Sequence, residues 1–256
     1  MRFLFLCDAS QPQKVAPICR KTGLGVEVQS FSNPEYPVEH PDALETHETF
    51  YRSISPRSLH GPFGDLSPGS CDRLIQQVTK DRFEFAYEQA INLRAKHVVL
   101  HHGYIPNTNT YKGWLNRSVG FWEEFLENKD SSITFYLENL LEHDPKLLKE
   151  VLLTFDHPNL KACLDVGHAF CHSKHPVQYW VEELGELIGY VHLHDNLGDQ
   201  DTHLSLGQGR IPLDQVCYLL ERVAPDAIWA LEVGPQNLED SLFWLESHGY
   251  LPYNGV

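Results

Sequence analysis

The chain has 256 residues, 42% of them hydrophobic, with 20 Lys and Arg against 35 Asp and Glu and a formal net charge of −15. That length and apolar content suit one domain over residues 1–256, with no linker or low-complexity stretch to divide it. The acidic balance disfavours DNA as a partner, because duplex affinity depends on Lys and Arg at phosphates; nothing approaches a membrane span, and Phe3–Leu6 is too short for the apolar core of a signal peptide.

Eight short β-branched or aromatic runs that close on polar residues are predicted as strands: Arg2–Asp8, Gly25–Phe31, Arg57–Phe63, His97–Gly103, Ile133–Asn139, Leu160–His168, Ile188–Asn196 and Ile228–Gly234. Segments with helical spacing lie between them. Gln13–Thr22 and Asp42–Ile54 come first, then Asp72–Ala95, where Leu74, Ile75, Val78, Phe85, Ala86 and Ala90 recur three or four positions apart. Leu115–Leu126, Lys146–Phe155, Val177–Leu187, Leu213–Val223 and Leu238–Ser247 follow, and Pro145 and Pro176 suit helix starts. The Asn- and Thr-rich segment between Tyr104 and Trp114 reads as a loop able to cover a site, and Trp114, Trp122, Trp180, Trp229 and Trp244 as packing residues. Eight strand–helix units in one chain of this length predict an α/β fold, a closed parallel (β/α)8 TIM barrel whose strands all open at their C-terminal ends onto one face. The cysteines at 7, 19, 71, 163, 171 and 217 form no CxxC pair, as expected of reduced thiols in a cytoplasmic protein, and composition carries no signal for oligomeric state.

Polar residues fall late in these runs. The third ends in His60-Gly61-Pro62, the fourth in His101-His102-Gly103, the fifth in Glu138-Asn139, the sixth in Asp165-Val166-Gly167-His168 and the eighth in Glu232. The seventh carries His192 and His194 on the face of Tyr190 and continues into Asp201-Thr202-His203. Carboxylates such as Glu138 and Glu232, flanked by apolar residues, are costly to bury without a partner, and imidazole with carboxylate is the donor set of zinc, manganese or iron.

Taken in order, LHGPF, LHHG, LENL, LDVGH, HLHDN…DTHLSLGQGRI and LEV closely resemble the xylose isomerase-like TIM-barrel superfamily, which includes endonuclease IV and sugar-phosphate isomerases and epimerases. For the isomerases and epimerases the resemblance implies one divalent ion held by Glu138, Asp165, His192 and Glu232. For an endonuclease IV-like centre it adds His60, His101, His168, Asp201 and His203, giving up to three ions, with zinc the first expectation and manganese or iron the alternatives. The ions would then sit among His60, His101 and Glu138, among Glu138, Asp165, His192 and Glu232, and among His168, Asp201 and His203. His101 rather than His102 is selected by aligning Gly103 with the family's glycine, and alternation lets only one of the two face the centre.

Nine ligands exceed what a sugar isomerase needs, so the sequence favours phosphoester hydrolysis, with Glu138 or Glu232 orienting a metal-bound hydroxide. The charge points away from DNA towards a small phosphorylated or nucleotide-like substrate. The alternative is a single-metal sugar or sugar-phosphate isomerase or epimerase, and a non-catalytic binding barrel is the third reading. His194 is expected to contact substrate or orient a ligand, Arg210 to clamp a phosphate, and Glu27 to line the mouth or bond within the barrel.

Overall fold

The structure, a computed structural model, describes residues 3–251. Its eight strands are β1 (Leu4–Cys7), β2 (Gly25–Val28), β3 (Arg57–His60), β4 (His97–His101), β5 (Thr134–Glu138), β6 (Leu160–Asp165), β7 (Ile188–Leu193) and β8 (Ile228–Leu231). Every neighbouring pair is parallel, and β1 pairs with β8, which closes the barrel. The helices are α1 (Pro12–Thr22), α2 (Tyr36–Glu39), α3 (Ala43–Tyr51), α4 (Arg73–Asn92), α5 (Tyr111–Leu126), α6 (Lys146–Phe155), α7 (Val166–His172), α8 (Val177–Leu184), α9 (Leu213–Val223) and α10 (Leu238–Ser247). Arg2, at the head of the first expected run, lies outside the described residues.

Strand alternation sorts the residues into two layers. Leu6, Val26, Leu59, Val98, Leu100, Leu137, Leu164, Val191 and Leu231 face outward into the core shared with the helices. Phe5, Cys7, Val99, Tyr136, Cys163, Tyr190, Ile228 and Ala230 fill the lumen. Trp114, Trp122, Trp180 and Trp229 are buried, the packing role expected of them. No helix among the described residues is long and apolar enough to cross a membrane.

Three expectations are corrected. In α4, Leu74, Ile75 and Val78 are exposed, and the buried residues are Thr79, Phe83, Ala86 and Ala90; the apolar spacing at the start of this helix does not mark its inner face. The sixth run stops at Asp165 instead of reaching His168, because the Asp165 carboxylate accepts the His168 backbone N–H at 2.6 Å and caps α7. The segment before Trp114 shortens as well: α5 starts at Tyr111, and Trp114 is a buried residue of its first turn.

Candidate metal centre

Inward-facing positions become more polar as each strand climbs. On β3 the series is Ser58, His60; on β4 Val99, His101; on β5 Tyr136, Glu138; on β6 Cys163, Asp165; on β7 Tyr190, His192; and beyond β8 it is Ala230, Glu232. The register aligns these ends, with His101 opposite Glu138 and Asp165 opposite His192. Residues distant in sequence therefore meet at one rim.

His192 Nδ1 faces three carboxylates, Glu138 Oε1 at 2.9 Å, Glu232 Oε2 at 3.3 Å and Asp165 Oδ2 at 3.9 Å. One donor atom from each of these four residues lies within 4.8 Å of the others, a spacing that suits one ion. The second oxygen of Glu138 turns towards β3 and β4, 3.2 Å from both His60 Nε2 and His101 Nε2, and these three residues form a second compact group. His102 points elsewhere: its Nδ1 is 2.8 Å from Glu142 Oε1, and its ring packs against Trp114.

The third cluster depends on the loop after β7. Asp195 shapes that loop by accepting the backbone N–H groups of Asn196, Gly207, Gly209 and Ile211, which carries the Asp201-Thr202-His203 segment back over the rim. Asp201 Oδ2 then lies 2.8 Å from His203 Nε2 and 3.2 Å from His168 Nε2. The compact triple here is His194, Asp201 and His203, with His168 at its edge, so His194 joins the set expected from sequence. The His194 and His203 rings stack at 4.0 Å, and His194 Nε2 lies 3.2 Å from both Asp165 oxygens.

Backbone carbonyls orient several of these imidazoles. His60 Nδ1–H donates to Gly61 O, His168 Nδ1–H to Asn139 O and His203 Nδ1–H to Glu232 O, at 2.9, 2.8 and 2.7 Å. A carbonyl only accepts, so each neutral ring keeps its lone pair on Nε2, aimed at the carboxylates. Two buried carboxylate oxygens, Glu232 Oε2 and Asp201 Oδ1, have no hydrogen-bond partner, although one imidazole nitrogen faces each. Unpartnered buried oxygens among imidazole lone pairs fit a divalent cation of the zinc, manganese or iron class.

Electrostatics separate the two glutamates. Burial would raise the Glu138 pKa, but His192 and His101 outweigh it and hold the carboxyl well below its ordinary range. Glu232 moves the other way, raised by burial and by the nearby Glu138 and Asp165 charges. Burial opposes protonation of His192, yet the Cys163 sulfur and the Glu232, Glu138 and Glu27 carboxylates raise its pKa well above the ordinary value. His203, opposed by burial and supported by Asp201, is pushed up to about 9.

Sequence reasoning overlooked some of the surrounding residues. Gln29 Nε2 donates to Glu232 Oε1 at 2.8 Å, and Glu142 holds His102; neither carries a motif signal of its own. Glu27 bonds within the barrel, one of its two expected roles. Arg210, expected at a phosphate, is exposed, and among the described residues no hydrogen bond or ion pair ties its guanidinium to the centre.

Residues 13–248 match the family model described as xylose isomerase-like TIM barrel. An uncharacterized protein of Methanocaldococcus jannaschii is 32% identical over 196 residues, covering 72% of this chain and 66% of its own length. Fructoselysine 3-epimerase of Escherichia coli is 24% identical over 153 residues, 57% of this chain and 55% of that enzyme. The crystal structure of a D-tagatose 3-epimerase-like protein superposes with a TM-score of 0.78 at 25% identity, covering 97% of each chain. Two of these three proteins carry an epimerase name, and none of the three is named as a phosphoester hydrolase. The chain belongs to the xylose isomerase-like TIM-barrel family.

Proposed function

We propose that the protein is a divalent-metal-dependent epimerase or isomerase of a small sugar-like substrate. The observation that carries this reading is the four-donor group in which His192 Nδ1 faces Glu138, Glu232 and Asp165 from the ends of successive strands. Glu138, Asp165, His192 and Glu232 would hold the ion, with zinc the first choice and manganese or iron the alternatives. Bound there, a divalent ion supplies a Lewis acid that acidifies the C–H beside a substrate carbonyl.

The chain's own residues would move the proton. Glu138 and Glu232 approach from β5 and β8, strands separated by β6 and β7, so their carboxylates border the centre from different sides. Inverting a carbon requires a proton to leave one face and another to arrive on the opposite face, which suits two such groups. Glu138 would accept the proton and Glu232 would carry the one returned.

Incubating zinc- or manganese-loaded protein with a panel of ketoses in D2O tests this reading. Deuterium should enter the carbon beside the carbonyl as the epimer or aldose isomer forms. A panel without deuterium uptake, alongside turnover of phosphoesters, would overturn it. Phosphoester hydrolysis stays as the second reading because the His60, His101 and Glu138 group and the His194, Asp201 and His203 group exceed the needs of a single ion.

A further inference from the structure

Strand β2 and the residues just after it supply none of the nine ligands expected from sequence, yet Glu27 and Gln29 reach behind them. Glu27 is fully buried, and both of its oxygens lie 3.1 Å from His192 Nε2. Tyr190 O–H donates to Glu27 Oε2 at 2.7 Å, Ser58 Oγ lies 2.8 Å from that hydroxyl, and Cys7 Sγ donates to Oε1 at 3.3 Å. These contacts fix the carboxylate on both edges. Two positions further on, Gln29 Oε1 accepts the Ala9 N–H at 3.2 Å, and the Gln29 backbone N–H donates to Asp8 Oδ1 at 3.0 Å. With its oxygen committed, the Gln29 amide can present only its NH2 group to Glu232 Oε1, at 2.8 Å.

We propose that β2 and the turn that follows it position the metal centre: Glu27 fixes the tautomer of His192, and Gln29 holds Glu232. This rests on the reading that an ion sits among Glu138, Asp165, His192 and Glu232. Both ring nitrogens of His192 face carboxylates, Nδ1 towards Glu138 and Nε2 towards Glu27; with the ion taking the Nδ1 lone pair, the ring proton sits on Nε2, where Glu27 accepts it. Without Glu27 the proton can shift to Nδ1, donate to Glu138 Oε1 at 2.9 Å and close the site. Gln29 occupies one oxygen of Glu232 and so leaves the other, Oε2, facing His192 Nδ1. His192 thus differs from His60, His168 and His203, whose Nδ1–H groups bond to carbonyls and whose Nε2 atoms face the centre.

The test combines zinc titration against a chromophoric chelator with nitrogen-15 spectra of histidine-labelled protein. In zinc-loaded wild type, His192 should carry its proton on Nε2. Glu27→Gln should weaken zinc binding by roughly tenfold to a hundredfold while the metal-free variant stays folded. Gln29→Leu should weaken zinc binding without changing the His192 tautomer. Wild-type affinity in Glu27→Gln, or a zinc-loaded wild type with the proton on His192 Nδ1, would overturn the proposal. The tautomer measurement decides the matter even if Glu27→Gln fails to fold. Absence of zinc uptake by the wild type would remove the metal centre as well, an outcome distinct from equal affinities.

Discussion

Glu138 meets His192 through a single carboxylate oxygen, Oε1 at 2.9 Å from Nδ1, and so keeps Oε2 for the imidazoles of β3 and β4. One side chain is thereby shared by the group with His60 and His101 and the group with Asp165, His192 and Glu232. Glu138→Ala should empty both, whereas His60→Ala should affect only the group it belongs to. Elemental analysis of protein purified without chelator should show a loss of about one ion in His60→Ala and a larger loss in Glu138→Ala. Turnover should fall at least roughly a hundredfold in Glu138→Ala, the scale on which a positioned acid–base group acts. Equal ion content in the two variants would mean that Glu138 does not bridge.

The neighbours His101 and His102 should separate metal binding from stability. His101 faces Glu138, while His102 and Glu142 form a buried pair in which Glu142 also accepts the Leu140 N–H. Removing His102 leaves the buried Glu142 carboxylate without that hydrogen bond, at a cost of about 1–3 kcal/mol. His102→Ala should therefore lower the denaturation midpoint strongly and leave zinc affinity per folded molecule unchanged. His101→Ala should do the reverse, and a shared phenotype would contradict the division of roles.

Much of this arrangement is legible in the sequence, because a strand has a period of two and the barrel turns that period into an inside and an outside. His60, His101, Glu138, Asp165 and His192 are each predicted late in a strand and found at or next to its end. What escapes is whatever depends on cross-strand contact. Nothing local to Gln29 shows that its amide will meet Glu232, 203 positions away. Nothing in the spacing of Leu74, Ile75 and Val78 shows that the first turns of α4 run clear of the barrel. The place of His194 in the third cluster likewise arises from a loop fold set by Asp195 and from stacking on His203.

Gly167 should tolerate no side chain. A Cβ at this position would overlap the His194 ring, whose Nε2 holds Asp165 and whose face stacks on His203. Gly167→Ala, although a favourable change for helix propensity, should destabilise the fold by about 1–3 kcal/mol through this clash. It should also displace His194 and so weaken ion binding at the Asp201 and His203 group. Chemical denaturation and ion counting on the same preparation check the two effects, and an alanine variant as stable as wild type would show that the ring can move aside freely.

His97 supplies a pH signature at the opposite end of the barrel. Burial pushes its pKa down to about 4, and its Nδ1 pairs with the Tyr136 hydroxyl at 2.8 Å. The folded protein thus keeps this imidazole neutral, while in the unfolded chain it protonates near 6.5. Below pH 6.5 the unfolded state binds the extra proton, so stability is full above 6.5, declines as the pH falls towards 4 and then levels off. The full decline from this residue is on the order of 3 kcal/mol. Replacing His97 by Gln, which retains a polar partner for Tyr136 without a titrating group, should flatten that part of the stability profile. Urea denaturation of metal-free wild type and variant at intervals between pH 4 and 7 would show the difference, and parallel acid limbs would remove His97 as its source.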